Sequence, residues 1–252
     1  MNLARWPVLA LLLLSSAAAR DFSFDSFHSA KGFHWLSDRS AGFDYYFEPD
    51  TPAERDIEKI KQTMEDTRKK IETLLGQTVS LRIAVFIVDS SARMKELAGA
   101  ESNGFAAKEI QVVVYNDTIS AIGAHETCHI LAAAAWGRPS AQWITEGLAV
   151  YADDRWWGLP LHSVAKGLLD HKDLIPMKDL ARKGRINKYP DWESYPELGS
   201  FVKFIYETQG RDVVLEMWRH GAPRDLRDME IQWLGEVAKA EPRFPDYYRT
   251  KN

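Results

Sequence analysis

The chain has 252 residues, with 32 Lys and Arg against 36 Asp and Glu, a formal net charge of −4. That mild acidity argues against nucleic acid as a partner, and the lone cysteine, Cys128, leaves no intramolecular disulfide. Stability must therefore come from packing, and this length suffices to bury a core in one domain or in two closely packed lobes.

The N-terminus carries a positive charge at Arg5, an apolar run from Pro7 to Leu14 and then Ala17-Ala18-Ala19. This pattern predicts a secretory signal peptide over residues 1–19, cleaved after Ala19, because the apolar run is too short to span a bilayer. No cysteine stands at the cleavage region, which argues against a lipoprotein-type anchor. The chain is expected to be secreted or periplasmic, with no stable membrane insertion once the signal is removed. Residues 20–42 are irregular and aromatic-rich, a leading segment that packs on the body or acts as a short pro-region.

Phe43 to Phe47 alternates aromatics and predicts a strand. Thr51-Pro52-Ala53-Glu54 predicts a helix start, with Thr51 as N-cap, Pro52 in the first turn and Glu54 closing a capping box. Ile57, Ile60, Met64, Thr67 and Ile71 continue at helical spacing until Gly76. Val79 to Val88 is β-branched and alternating, and Ile110 to Tyr115 is a second apolar strand behind a loop around Ser102-Asn103-Gly104. Asn116-Asp117-Thr118 supplies caps for an apolar helix over 120–136, stopped by Gly137 and Pro139. A second helix follows over 140–154, with others at 161–171, 195–209, 211–220 and 224–239. Trp136, Trp143, Trp156, Trp157, Trp192, Trp218 and Trp233 all fall in this second half. The fold class expected is α+β: a mixed β-sheet lobe with the helix at 120–136, then a mainly helical C-terminal lobe, with a cleft at the seam. The closing residues, 241–252, are expected to form a tail.

The chemistry is concentrated in His125-Glu126-Thr127-Cys128-His129. Two histidines four apart share one helical face about one turn from each other, so both can ligate one metal ion. Glu126 points into the same space and can take a proton from water there. Seventeen positions beyond His129 lies Glu146, in Trp143-Ile144-Thr145-Glu146-Gly147-Leu148-Ala149-Val150-Tyr151. With it the set is His₂Glu, leaving a fourth position for water, which is the pattern of a catalytic zinc site; a structural site closes all four. Asp153 and Asp154 are the competing third ligands, at the end of the same helix. Gly147 is expected to let this helix pack tightly on the helix that bears the histidines.

These two segments resemble gluzincin metallopeptidases, and most closely the peptidase MA-like group with its W-x-x-E-G-x-A-x-Y segment. Softer likenesses run through Phe43–Phe47, through Tyr195 to Gly210 and through Leu226 to Leu234, so the resemblance covers roughly residues 43–240. It implies a zincin-like, thermolysin-like fold and Zn²⁺-dependent hydrolysis of peptide bonds in a peptide or protein substrate. Metal-activated water would act with Glu126 as general base. A metzincin would need histidine at 135 and glycine at 132, where this chain has Ala135 and Ala132. A deformylase would need a cysteine ligand outside the motif. One departure stands out: thermolysin has an aspartate four residues after its ligand glutamate, supporting the first histidine, and here that place is Val150. Asp153, a turn further on, is the alternative support.

Tyr195 stands where several gluzincins place an oxyanion donor, which the resemblance implies as its role; a packed core tyrosine is the competing reading. The strand Gln111–Tyr115 is the expected edge for an added peptide strand, against the alternative of a central core strand. Cys128 faces away from His129 and reads as a small buried hydrophobe. His28, His34, His162, His171 and His220 lack ligand spacing. The competing function is a non-catalytic zinc-binding cell-envelope or chaperone-like factor that keeps the fold.

Overall fold

The computed structural model describes residues 22–99 and 102–245. The expected signal peptide at 1–19 and the end of the expected tail, 246–252, lie outside the described residues. The protein is α+β and forms two compact units. One comprises the described residues up to Thr73 together with Gln77–Leu131; the other comprises Leu74–Gly76 and the residues from Ala132 onward.

The first unit is built on a five-stranded mixed sheet. Its strands are β1 (Leu36–Arg39), β2 (Phe43–Phe47), β3 (Ile83–Val88), β4 (Gly104–Ala107) and β5 (Ile110–Val114), in the spatial order β1-β2-β3-β5-β4. β2, β3 and β5 run parallel, and the outer strands β1 and β4 pair antiparallel. Because side chains alternate across a sheet, β3 and β5 divide their apolar residues between two faces. Phe86, Val88, Ile110, Val112 and Val114 join Phe27, Phe33, Met94 and Phe105 in one core cluster. Ile83, Val85, Ile87 and Val113 are buried on the opposite face.

The leading segment is more ordered than its composition predicts. It contains helix α1 (Phe24–His28), capped by Ser23, and strand β1. β1 reads Leu-Ser-Asp-Arg and is mostly exposed, so an edge strand of this kind carries no alternating apolar signature. Thr51 makes no side-chain cap; its hydroxyl donates to the Glu48 carbonyl, and Glu54 accepts from the Asp50 N–H instead. The helix predicted from there is broken at Asp56 into α2 (Pro52–Arg55) and α3 (Ile57–Leu75). α3 sends Arg68 into the interior, where its guanidinium donates to the carbonyls of Gly42, Val79 and Leu81. Those bonds tie residues 79–81 to the helix, which is why the strand predicted from Val79 starts only at Ile83. Helix α4 (Ser91–Ala98) lies where no element was expected, and strand β4 starts at Gly104, within the loop expected around Ser102-Asn103-Gly104.

β5 has strands on both sides, so it is an interior strand and not an edge; the edge beside it is β4. The continuous apolar run from Ile110 is what a strand buried on both faces looks like. Helix α5 (Ala124–Trp136) begins four residues later than its capping signal suggests. The Asn116 side-chain oxygen accepts from the Thr118 and Ile119 N–H groups, making a turn, and Tyr115 bridges to Ser120 before the helix starts.

The second unit is helical apart from one short hairpin, β6 (Arg155–Trp156) and β7 (Leu159–Pro160). Its helices are α6 (Gln142–Asp153), α7 (Leu161–His171), α8 (Met177–Leu180), α9 (Asp191–Gln209), α10 (Arg211–His220) and α11 (Leu226–Val237). The closest pairing is α6 on α9, made by reciprocal glycines. A Cβ at Gly147 would lie 2.6 Å from Val202 Cγ2 and 3.0 Å from the Leu198 carbonyl oxygen, and one at Gly199 would lie 2.8 Å from Val150 Cβ. Gly147 thus admits α9, not α5 as its place beside Glu146 suggests. No helix among the described residues is long and apolar enough to cross a membrane.

Candidate metal centre

α5 is apolar and small on most of its surface, and Cys128, Leu131 and Ala132 are buried. A buried polar contact ties it to the sheet. Thr127 Oγ1 donates to Gln111 Oε1 on β5 at 3.0 Å, with both residues almost completely buried. A buried hydroxyl–amide pair is costly to break, because either partner left alone loses its hydration without compensation. With Thr127 turned to the sheet, His125 and His129 share another side of the helix, both partly buried. Their Nε2 atoms are 3.2 Å apart and their rings nearly perpendicular.

After α5 the chain turns at Gly137, which has a φ of 80° and so suits a residue without Cβ. The turn is held from α10. Trp218 Nε1 donates to the Gly137 carbonyl, Ser140 N–H donates to the Trp218 carbonyl, and the Ser140 hydroxyl donates to Met217. α6 follows and carries Glu146, which is fully buried. One ligand atom from each of His125, His129 and Glu146 lies within 4.8 Å of the other two.

A tetrahedral zinc ion with bonds of about 2.0–2.1 Å holds its donors roughly 3.4 Å apart. The two histidine nitrogens, 3.2 Å apart, stand close to that spacing. Two neutral imidazoles and a carboxylate are also the donor types that suit zinc. The residues present fit the metal.

Glu126 is 6% exposed, and its side chain lies against Gly104 on β4. Asp154, a competing ligand on paper, pairs with Lys203 on α9. Val150, in the place of the thermolysin aspartate, packs on Gly199 and is buried, so that position offers no polar support. Tyr195 lies on α9 and is 2% exposed, with its ring 6.2 Å from that of Trp156. Cys128 is buried, and His162 Nδ1 is hydrogen-bonded with the Ser200 hydroxyl, which accepts from Trp233 Nε1. The residues that sequence reasoning passed over are Gln111, Gly104 and Gly199. Each is unremarkable by type and acts only through what the fold brings against it.

No protein-family model matches the chain, and no curated protein matches it. Among solved structures it is similar to yeast LTA4 hydrolase, at 13% identity over 84% of this chain and 40% of that one, with a TM-score of 0.43. It is also similar to an M1 zinc metallopeptidase from Deinococcus radiodurans, at 11% identity, 84% and 53% coverage and a TM-score of 0.46. A third is an aminopeptidase N family protein from Idiomarina loihiensis, at 13% identity, 86% and 46% coverage and a TM-score of 0.41. The chain spans 40% to 53% of the length of these three.

Proposed function

We propose that the protein is an exported zinc-dependent metallopeptidase of the gluzincin type. The observation that carries this reading is the convergence of His125, His129 and Glu146, with a second buried carboxylate, Glu126, on the same helix as the two histidines. His125, His129 and Glu146 would hold the zinc through two nitrogens and an oxygen, leaving one position open. The ion would supply Lewis acidity, lowering the pKa of a water in that position and polarising a carbonyl. Glu126 would accept the proton from the attacking water and hand it to the leaving amine. β4, as the edge of the sheet, offers backbone groups to an extended peptide, a role first assigned to the strand at 111–115. Tyr195 remains the proposed oxyanion donor, a role that rests on its place in the sequence. Residues 1–19 would act as the export signal, with secreted or periplasmic residence.

The test is cleavage of a diverse quenched-fluorescence peptide library by the zinc-loaded chain and by its Glu126→Gln variant. The proposal expects cleavage by the wild type and a loss of about 10²-fold or more in the variant, with zinc retained in both. If both hold zinc and neither cleaves, the protein is a zinc-binding factor without peptidase activity.

A further inference from the structure

We propose that Gly104 is the positioning residue for Glu126: the side chain that β4 lacks at this place is the slot in which the carboxylate sits. The inference rests on Glu126 being the general base, but the contact behind it can be measured without catalysis. A Cβ built on Gly104 would lie 2.9 Å from Glu126 Cδ and 3.0 Å from its Cγ, and closer still to Oε1. Real Cβ atoms are essentially never found that near, so residue 104 and Glu126 cannot both keep their places once a methyl is added.

The glycine is not there for its backbone freedom. Gly104 is an ordinary extended strand residue and is absent from the glycines with positive φ. At such a position glycine weakens a strand, since it has the most conformational freedom to lose and no side chain to pack. Space is what remains to explain it. Alternation along β4 agrees: Phe105 belongs to the core cluster on one face, so Gly104 faces the other, the face from which Gln111 meets Thr127 of α5.

Neither partner can recede. The strand is held because Val114 N–H donates to the Asn103 carbonyl at 2.8 Å and the buried Ser102 hydroxyl donates to the Gly104 carbonyl at 2.8 Å. The helix is held by Thr127 on Gln111. What yields to a methyl at 104 is therefore the Glu126 side chain. Its carboxylate turns away from the strand, while His125 and His129 keep their nitrogens in place.

The experiment is a melting cycle on the full chain: wild type, Gly104→Ala, Glu126→Ala and the double variant, each with and without zinc. Gly104→Ala should lower Tm by several degrees in the wild-type background. In the Glu126→Ala background the same change should raise Tm or leave it unaltered, because the methyl then fills vacated space on a strand that prefers alanine. Equal shifts in the two backgrounds would overturn the proposal. If Gly104→Ala does not fold, recovery of folding by Glu126→Ala supports it, and failure of the double variant as well refutes it. On the library peptide that the wild type cleaves fastest, Gly104→Ala should retain one zinc per chain and a KM within about twofold while kcat falls ten- to a hundredfold. An unchanged kcat would sink the positioning role. A wild type that cleaves nothing would count against the peptidase reading, and the melting cycle would still decide whether residue 104 holds Glu126 in place.

Discussion

Thr127 Oγ1 donates to Gln111 Oε1 at 3.0 Å, and through this contact the middle of the histidine motif is fastened to an interior strand of the sheet, β5. The two residues between the glutamate and the second histidine carry no chemistry in the motif, yet one of them sets the direction of those that do. Thr127→Val keeps the shape and removes the donor, leaving the Gln111 oxygen buried without it. We expect a loss of about 1–3 kcal/mol in denaturant unfolding and weaker zinc binding as α5 loses its stop. Pairing Thr127→Val with Gln111→Leu should recover most of the stability, because neither polar group is then stranded.

The reciprocal glycines of α6 and α9 predict a second outcome. Alanine at 147 would meet a backbone carbonyl at 3.0 Å as well as Val202, and a backbone cannot swing aside as a side chain can. Gly147→Ala should cost about 1–3 kcal/mol as an overpacked contact. Because Glu146 is the neighbouring residue and the proposed ligand, displacement of α6 should also weaken zinc binding. Gly199→Ala meets Val150 at 2.8 Å, and Val150→Ala should restore it. Unfolding curves and zinc titration on the two single variants and the rescue check both statements.

Glu197 on α9 is fully buried; its Oε2 accepts the Ile175 N–H at 3.0 Å and its Oε1 has no hydrogen-bond partner among the described residues. Burial pushes its pKa well above the ordinary 4.5, with Glu230 and Glu193 adding to the rise. Between 4.5 and the folded value the native state therefore holds a proton that the unfolded chain has released, so stability falls as pH rises through that window. Glu197→Gln mimics the protonated acid. It should leave Tm unchanged near pH 4.5 and raise it at pH 8; equal shifts at both pH values would contradict the assignment.

His162 pulls the opposite way. Burial, then the nearby Lys203, lowers its pKa below 6.5, and its Nδ1 is hydrogen-bonded with the Ser200 hydroxyl at 2.8 Å. The unfolded chain takes up a proton first as pH falls through 6.5, so stability is lost on acidification below that point. His162→Asn keeps an acceptor near Nδ1 but does not titrate. Melting curves between pH 7.5 and 5.5 should fall more steeply for the wild type than for this variant.

The sequence made the helices of the second unit legible, since α7 and α10 match the periodic segments at 161–171 and 211–220. It also pointed to His125, His129 and Glu146, which the fold brings within 4.8 Å of one another. What it hid was non-local. β1 and β4 are edge strands of four residues and carry no period-two pattern of their own. The start of β3 depends on an arginine eleven to thirteen residues away, Arg68, reaching two carbonyls. Gly104, Gln111 and Gly199 have no signature at all, since their importance lies in the atoms packed against them.

The most direct test of the account is equilibrium competition for zinc against a chromophoric chelator, run on the metal-free wild type, Glu126→Gln and Glu146→Gln. The two glutamates have been given different work, one to move a proton and the other to bind the ion. Wild type and Glu126→Gln should each take one zinc with affinities within a few-fold, while Glu146→Gln should bind at least about a hundredfold more weakly. Zinc held as tightly by Glu146→Gln as by the wild type, or lost together with the Glu126 carboxylate, would contradict it.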